Sequence, residues 1–223
     1  MSGAIQKLLL NALMETAYMI GVSGFLAVLF GIPLGIALAV TTRGGLVQNL
    51  PFNRIMGAIV NAARSTPFII LMVAIIPLTR MIVGTSIGTT AAIVPLSLAA
   101  LPFMGRVVEG ALREVDGGVV EASHAMGTPP FQIVFRVLLP EALPSLVSGV
   151  TLMFISLVGY SAMAGALGGG GLGDVAIRYG HQRFRVDVML ATVAILIVLV
   201  QAIQSTGDFV VRLIRKRRGL SKQ

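Results

Sequence analysis

The chain has 223 residues, of which 56% are hydrophobic and 12% charged, with a formal net charge of +8. Soluble domains are about a quarter charged, so this composition, with a mean hydropathy of +0.91, places the chain in a membrane. The absence of cysteine excludes a disulfide framework and a thiolate metal site, and the basic excess lacks the aromatic interleaving of a nucleic-acid surface.

A hydrocarbon core takes about 20 apolar helical residues. The first such stretch covers residues 17–40, contains Pro33, and ends at Thr41-Thr42-Arg43-Gly44-Gly45. It is too long, and too poor in cleavage-site character, for a removable signal. Asn49-Leu50-Pro51 then turns the chain. The second span is the uncharged run between Arg64 and Arg80, which at 1.5 Å per residue is roughly 24 Å and puts the two arginines at opposite faces. Residues 81–88 read as a short loop, and residues 89–105 as a third span with Pro95 and Pro102. That span runs on as a polar helix with Arg106, Glu109 and Arg113. Spans four and five are expected over residues 143–164 and 188–207, separated by a glycine-rich segment that carries Arg178, Arg183 and Arg185. The prolines at 33, 67, 77, 95 and 102 require neighbouring helices to satisfy the carbonyls they free, which suits a transporter better than an anchor.

The expected class is therefore all-α, one polytopic membrane domain over residues 1–223 with five transmembrane helices and its termini on opposite sides. Arg43, Arg54, Arg64, Arg106, Arg113, Arg136, Arg212, Arg215, Lys216, Arg217, Arg218 and Lys222 fall on one side; Lys7, Arg80, Arg178, Arg183 and Arg185 fall on the other. This asymmetry makes the first side cytoplasmic, with the amino terminus outside and the basic tail, residues 212–223, inside.

Between spans three and four, residues 116–140 form a half-polar island that reads as two short helices and a tight turn. Asp116 opens the first helix and Gly127 closes it in a left-handed conformation. Thr128 and Pro129 are expected as the N-cap and first residue of the second. The spacing Glu121-Ala122-Ser123, three residues, Gly127, nine residues, Val137, one residue, Leu139-Pro140 resembles the cytoplasmic EAA signature of permease subunits of bacterial ATP-binding-cassette importers. Ser123 and Val137 stand where that family usually has Ala and Ile. Four further stretches, Asn61-Ala62-Ala63-Arg64-Ser65-Thr66-Pro67-Phe68-Ile69-Ile70-Leu71, Val83-Gly84-Thr85-Ser86-Ile87-Gly88, Leu139-Pro140-Glu141-Ala142-Leu143-Pro144 and Leu157-Val158-Gly159-Tyr160-Ser161-Ala162-Met163, look like the permease of the bacterial methionine importer.

That resemblance implies a type I importer permease fold in the bacterial inner membrane. It implies two copies of this chain, two ATPase subunits carrying ATP and Mg, an external substrate-binding lipoprotein, and methionine, including the D-isomer and derivatives, as substrate. Glu121, Ala122, Ser123, Ala125 and Met126 would form a coupling helix seated on an ATPase, Gly127 its turn, and Leu139 and Pro140 the restart into the fourth span. A permease for another amino acid shares the same signature.

The chain lacks a phosphate-binding Gly-x-x-x-x-Gly-Lys-Ser/Thr, and Gly168-Gly169-Gly170-Gly171-Leu172-Gly173 has no lysine, so no cofactor is expected on this chain and ATP hydrolysis belongs to a partner. The glycines fit a tight re-entrant turn or a merely flexible loop. Gly21-Val22-Ser23-Gly24 is compatible with an intramembrane serine protease only if a histidine base lies at membrane depth, and His124 and His181 both fall in loops. Neither catalytic nor metal-ligating residues are expected. Gly31 and Gly35 offer a small-residue face for helix packing or flank a kink at Pro33. Tyr160, Ser161 and Met163, at the outer end of span four, are the candidate gate: in a homodimer the flexible Met163 would meet its copy across the axis and seal the pathway.

Overall fold

The computed structural model describes residues 3–217; Arg218 and Lys222 of the basic tail lie outside them. All elements of the described residues are helical. Helix α1, Gly3–Val40, has 38 residues and is roughly 57 Å long, almost twice the hydrocarbon thickness. It starts well before residue 17 because no proline or glycine follows Gly3 until Gly21, so the polar positions Lys7, Asn11 and Glu15 extend the rod instead of ending it.

Helix α5, Thr89–Arg113, lies against α1, and glycines set how closely. A Cβ on Gly31 would stand 2.7 Å from that of Met104, and one on Gly35 would stand 2.5 Å from the Gly105 carbonyl oxygen. Pro33 sits inside an unbroken helix, so the two glycines are a packing face and not a hinge. Ser23 Oγ donates to the Ile93 carbonyl of α5 at 3.4 Å. Met19, Leu38, Leu96, Met104 and Leu157 are buried almost completely at the centre. In lipid such a seam is held by close packing more than by exclusion of water.

The second span departs from expectation. Helix α2, Leu50–Ser65, is capped by Asn49, whose side chain accepts from Phe52 N at 3.2 Å. Two short helices follow, α3 (Phe68–Ala74) and α4 (Ile76–Val83), and α3 leaves α2 at 102°. Proline dictates both breaks. Thr66 precedes Pro67 and is extended at φ −81°, ψ 122°, as the pyrrolidine ring requires; Pro77 in the first turn of α4 removes an amide that would have carried α3 onward. Among the described residues, four helices are thus long and apolar enough to cross a membrane, and a fifth crossing is present there as the broken pair. The expected loop at 81–88 is shorter, because α4 continues to Val83 and Gly84 closes it at φ 81°.

The fourth span belongs to a helix that starts at Pro130, has α8, Leu139–Ala164, as its central part, and breaks at Leu167 and Gly168, whose backbone is not helical. It enters a π-helical turn, Gly165–Gly169, a short helix α9, Gly171–Val175, a second π-helical turn, Ala176–His181, and then α10, Val186–Arg217. The glycine-rich segment is a built turn. Gly168, Gly170 and Gly171 have φ of 90°, 79° and 73°, a region that side chains disfavour. Glu15 Oε2 accepts from Gly171 N at 2.7 Å, Thr16 Oγ1 accepts from Leu172 N at 2.9 Å, and Gly168 O accepts from Gly88 N at 2.9 Å. Side chains of α1 therefore satisfy the first amides of α9, where a helix lacks internal acceptors. Helix α10 leans on α8, with Gly207 against the Thr151 side chain.

Candidate functional site

Two helices, α6 (Gly117–Ala125) and α7 (Pro130–Ile133), make up the polar island. Asp116 caps α6, accepting from Gly118 N at 2.8 Å. At the other end Gly127 has φ 75°, its N–H donates to His124 O at 2.9 Å and that of Thr128 to Ser123 O at 3.2 Å. Those two bonds together are a Schellman closure. The second helix begins one residue later than expected. Pro129, extended at φ −66°, ψ 148°, is the N-cap without a side-chain bond, since the residue before Pro130 is excluded from helical geometry. Thr128 accordingly serves the closure of α6.

Nor do Leu139 and Pro140 restart the chain. A π-helical turn, Val134–Leu138, joins α7 to α8, and Leu139 N bonds five residues back to Val134 O. The wider turn absorbs the missing amide of Pro140 and keeps the helix continuous. The second helix of the island, α7, and the fourth span are consequently one rod.

Exposure separates the expected coupling residues into two groups. Ser123 is 5% exposed, and its Oγ donates to Val119 O at 2.8 Å, so it anchors α6 from beneath. Glu121, Ala122, Ala125, Met126, Gly127 and Pro140 are exposed, His124 with them, and Leu139 is half-buried. Met126 and Phe131 are open at 77% and 72%. Small residues, one carboxylate and two large apolar side chains make a surface that a concave partner can close over.

Beneath that surface the polar end of α5 forms a charge cluster around one buried carboxylate. Glu109 is 3% exposed; its Oε2 lies 2.5 Å from Arg106 Nη1 and its Oε1 2.7 Å from Arg113 Nη2. Arg106 also donates to Gly57 O of α2 at 2.9 Å, and Arg113 to Thr42 Oγ1 at 3.1 Å. Further along, Ser145 of α8 donates to Glu114 at 3.2 Å. One buried carboxylate thereby ties α5 to α2 and to the turn after α1. A cleft of about 290 Å³ between that turn and α6 is lined by Gly44, Leu46, Arg113, Glu121 and His124. The signal was available in the spacing, because Arg106, Glu109 and Arg113 share one helical face.

Residues 31–219, which include α6, its turn and the rod behind it, match the profile of the family described as binding-protein-dependent transport system inner membrane component. The chain belongs to this family of inner-membrane transport components. It is 57% identical over 210 residues to the probable D-methionine transport system permease protein MetI of Vibrio cholerae, covering 94% of this chain and 93% of that one. To the D-methionine transport system permease protein MetI of Escherichia coli it is 54% identical over 165 residues, 74% and 76% of the two chains. The solved MetNI methionine ABC transporter in inward-facing conformations superposes with a TM-score of 0.94 at 50% identity, over 96% of this chain and 99% of that one. An amino acid ABC transporter crystallised with histidines shares the fold, with a TM-score of 0.77 at 18% identity.

Within this permease fold the three candidate gate residues point different ways. Tyr160 stacks on Phe68 with ring centroids 4.9 Å apart and an interplanar angle of 12°, which fastens α8 to α3 just past the bend. Ser161 is 2% exposed and donates to Val158 O at 2.8 Å. Met163 is 43% exposed and projects from the bundle. Ser23 of the protease-like motif spends its hydroxyl on Ile93 O, while His124 lies on α6 and His181 ends a π-helical turn.

Proposed function

We propose that this chain is the membrane permease subunit of an ATP-driven methionine importer. The observation that carries the reading is the superposition on the MetNI transporter over nearly the whole of both chains at 50% identity. The site supports it: α6 is a capped helix with an exposed face, its Schellman closure joins it to α7, and α7 continues through a π-helical turn into α8. A displacement of α6 by an ATPase closing on ATP and Mg moves α8 as a body, and packed rods shift rather than deform.

In this reading two copies of the chain enclose the pathway, each α6 docks on one ATPase subunit, and an external lipoprotein delivers methionine. The amino terminus faces outward and the basic carboxyl end the cytoplasm, as the basic-residue asymmetry supports. Met163, meeting its copy at the axis, closes the outer side. The test is reconstitution of the chain with a MetN-type ATPase in vesicles. Substrate-stimulated ATP hydrolysis with uptake of L- or D-methionine is the expected result. Uptake of a different amino acid in place of methionine would replace the substrate, and failure to bind any ATPase would remove the importer reading.

A further inference from the structure

The bundle carries a second kind of site at the end where α1 and α10 begin. A cavity of about 320 Å³ there is lined by Ile5, Leu8, Tyr179, Arg183, Arg185 and Val188, and none of its lining residues is acidic. Arg185 is committed to Asp187, through Nε at 2.9 Å and Nη2 at 2.5 Å. Arg183 has no acidic partner among the described residues; its guanidinium lies over the Tyr179 ring, 4.6 Å from the centroid. The larger neighbouring cavity is different in kind, since its Arg178 is paired with Asp174 and Glu15 also faces it. An unmatched guanidinium held by an aromatic face beside an apolar wall asks for an anion with a hydrocarbon attached.

The position agrees. After Asp187, helix α10 is uncharged from Val188 to Val200, and only 11% of its most apolar stretch is buried in the bundle. Val186 and Leu190 are exposed at 67% and 64%, so this helix meets lipid. Arg183 and Arg185 immediately precede that apolar run, with Tyr179 beside them, which is the arrangement of basic and aromatic side chains at a headgroup layer. A water-soluble protein partner would find apolar walls continuous with a lipid-facing helix. We infer that this cavity holds the phosphate of an anionic phospholipid, with Arg183 donating to its oxygens and Ile5, Leu8 and Val188 lying along its first acyl methylenes.

The test uses the full-length chain purified in detergent, titrated with phosphatidylglycerol or phosphatidylcholine and followed by native mass spectrometry. One arginine near a membrane surface contributes about 1 kcal/mol to anionic-lipid attraction, or about fivefold in affinity. Phosphatidylglycerol is therefore expected to bind at least about fivefold more tightly than phosphatidylcholine. Arg183→Gln should remove that preference, Arg183→Lys should keep most of it, and Arg178→Gln should leave it unchanged. Inorganic phosphate at equal concentration should not displace the lipid, because it has nothing to lay against the apolar wall. Equal retention of the two lipids, a preference that survives Arg183→Gln, or displacement by inorganic phosphate would each overturn the assignment.

Discussion

Glu109 and Arg113, one helical turn apart at the end of α5, are joined at 2.7 Å with the carboxylate side chain 4% exposed and the guanidinium 52% exposed. A buried anion of this kind is expensive to desolvate and is kept only when both oxygens are engaged, which Arg106 and Arg113 together achieve. Glu109→Leu strands the half-buried Arg106 without its anion and is expected to destabilise the protein by about 3–5 kcal/mol. Arg113→Gln leaves Glu109 with Arg106 as its charged partner, and its expected cost is smaller, about 1–3 kcal/mol. Thermal unfolding of the purified variants in detergent measures both, and equal losses would mean that Glu109 is not the hub.

Gly127 separates backbone conformation from crowding. A Cβ there would meet nothing within 4 Å, yet φ is 75°. Gly127→Ala and Gly127→Val should each cost about 1–2 kcal/mol through the left-handed backbone alone. Both should still insert and assemble, while substrate-stimulated ATP hydrolysis in the reconstituted complex falls. Full coupling in both variants would show that the closure of α6 is dispensable.

At Gly35 the constraint is contact. The added Cβ lies against the Gly105 carbonyl and the Val108 side chain, so Gly35→Val should cost about 1–3 kcal/mol by overpacking. Gly21 lies on the same helix with open space around it, and Gly21→Ala should be neutral or stabilising by up to about 1 kcal/mol. Unfolding temperatures of the pair decide whether α1 and α5 are held by this seam.

A cysteine is a clean probe in this chain, which has none of its own. Met163→Cys is expected to cross-link two copies in the resting complex and to block uptake until it is reduced. A cysteine at His124 should resist an impermeant thiol reagent in intact cells and react once the membrane is opened. Labelling of that cysteine in intact cells would invert the topology, and an intact dimer that never cross-links would move the gate away from Met163.

Much of this architecture could be read from local chemistry. Asp116 and Gly127 bracket α6 because a carboxylate suits a helix start and a glycine suits a left-handed end, and both effects act within a few residues. The Gly31–Gly35 face was likewise visible, although only the contact with Gly105 and Val108 decided between a seam and a hinge. The second span was misjudged because hydropathy counts residues and ignores direction: Pro67 and Pro77 keep the run apolar while they break the rod. The doubled proline at 129 and 130 moved a helix start by one position for the same reason. Glu109 was seen as a charge but not as a buried one, since its burial depends on α2 returning across α5.

The bond between Glu15 and Gly171 spans 156 positions of the chain. At a synthesis rate of about 5–20 residues per second, roughly 8–30 s separate the emergence of the acceptor from that of its donor. The first helix has to wait in the bilayer throughout that interval with its carboxylate not yet bonded to the turn it will cap. The last loop of the permease thus completes the environment of the first helix, and a nascent chain stopped before residue 171 leaves that acidic position without its final amide partner.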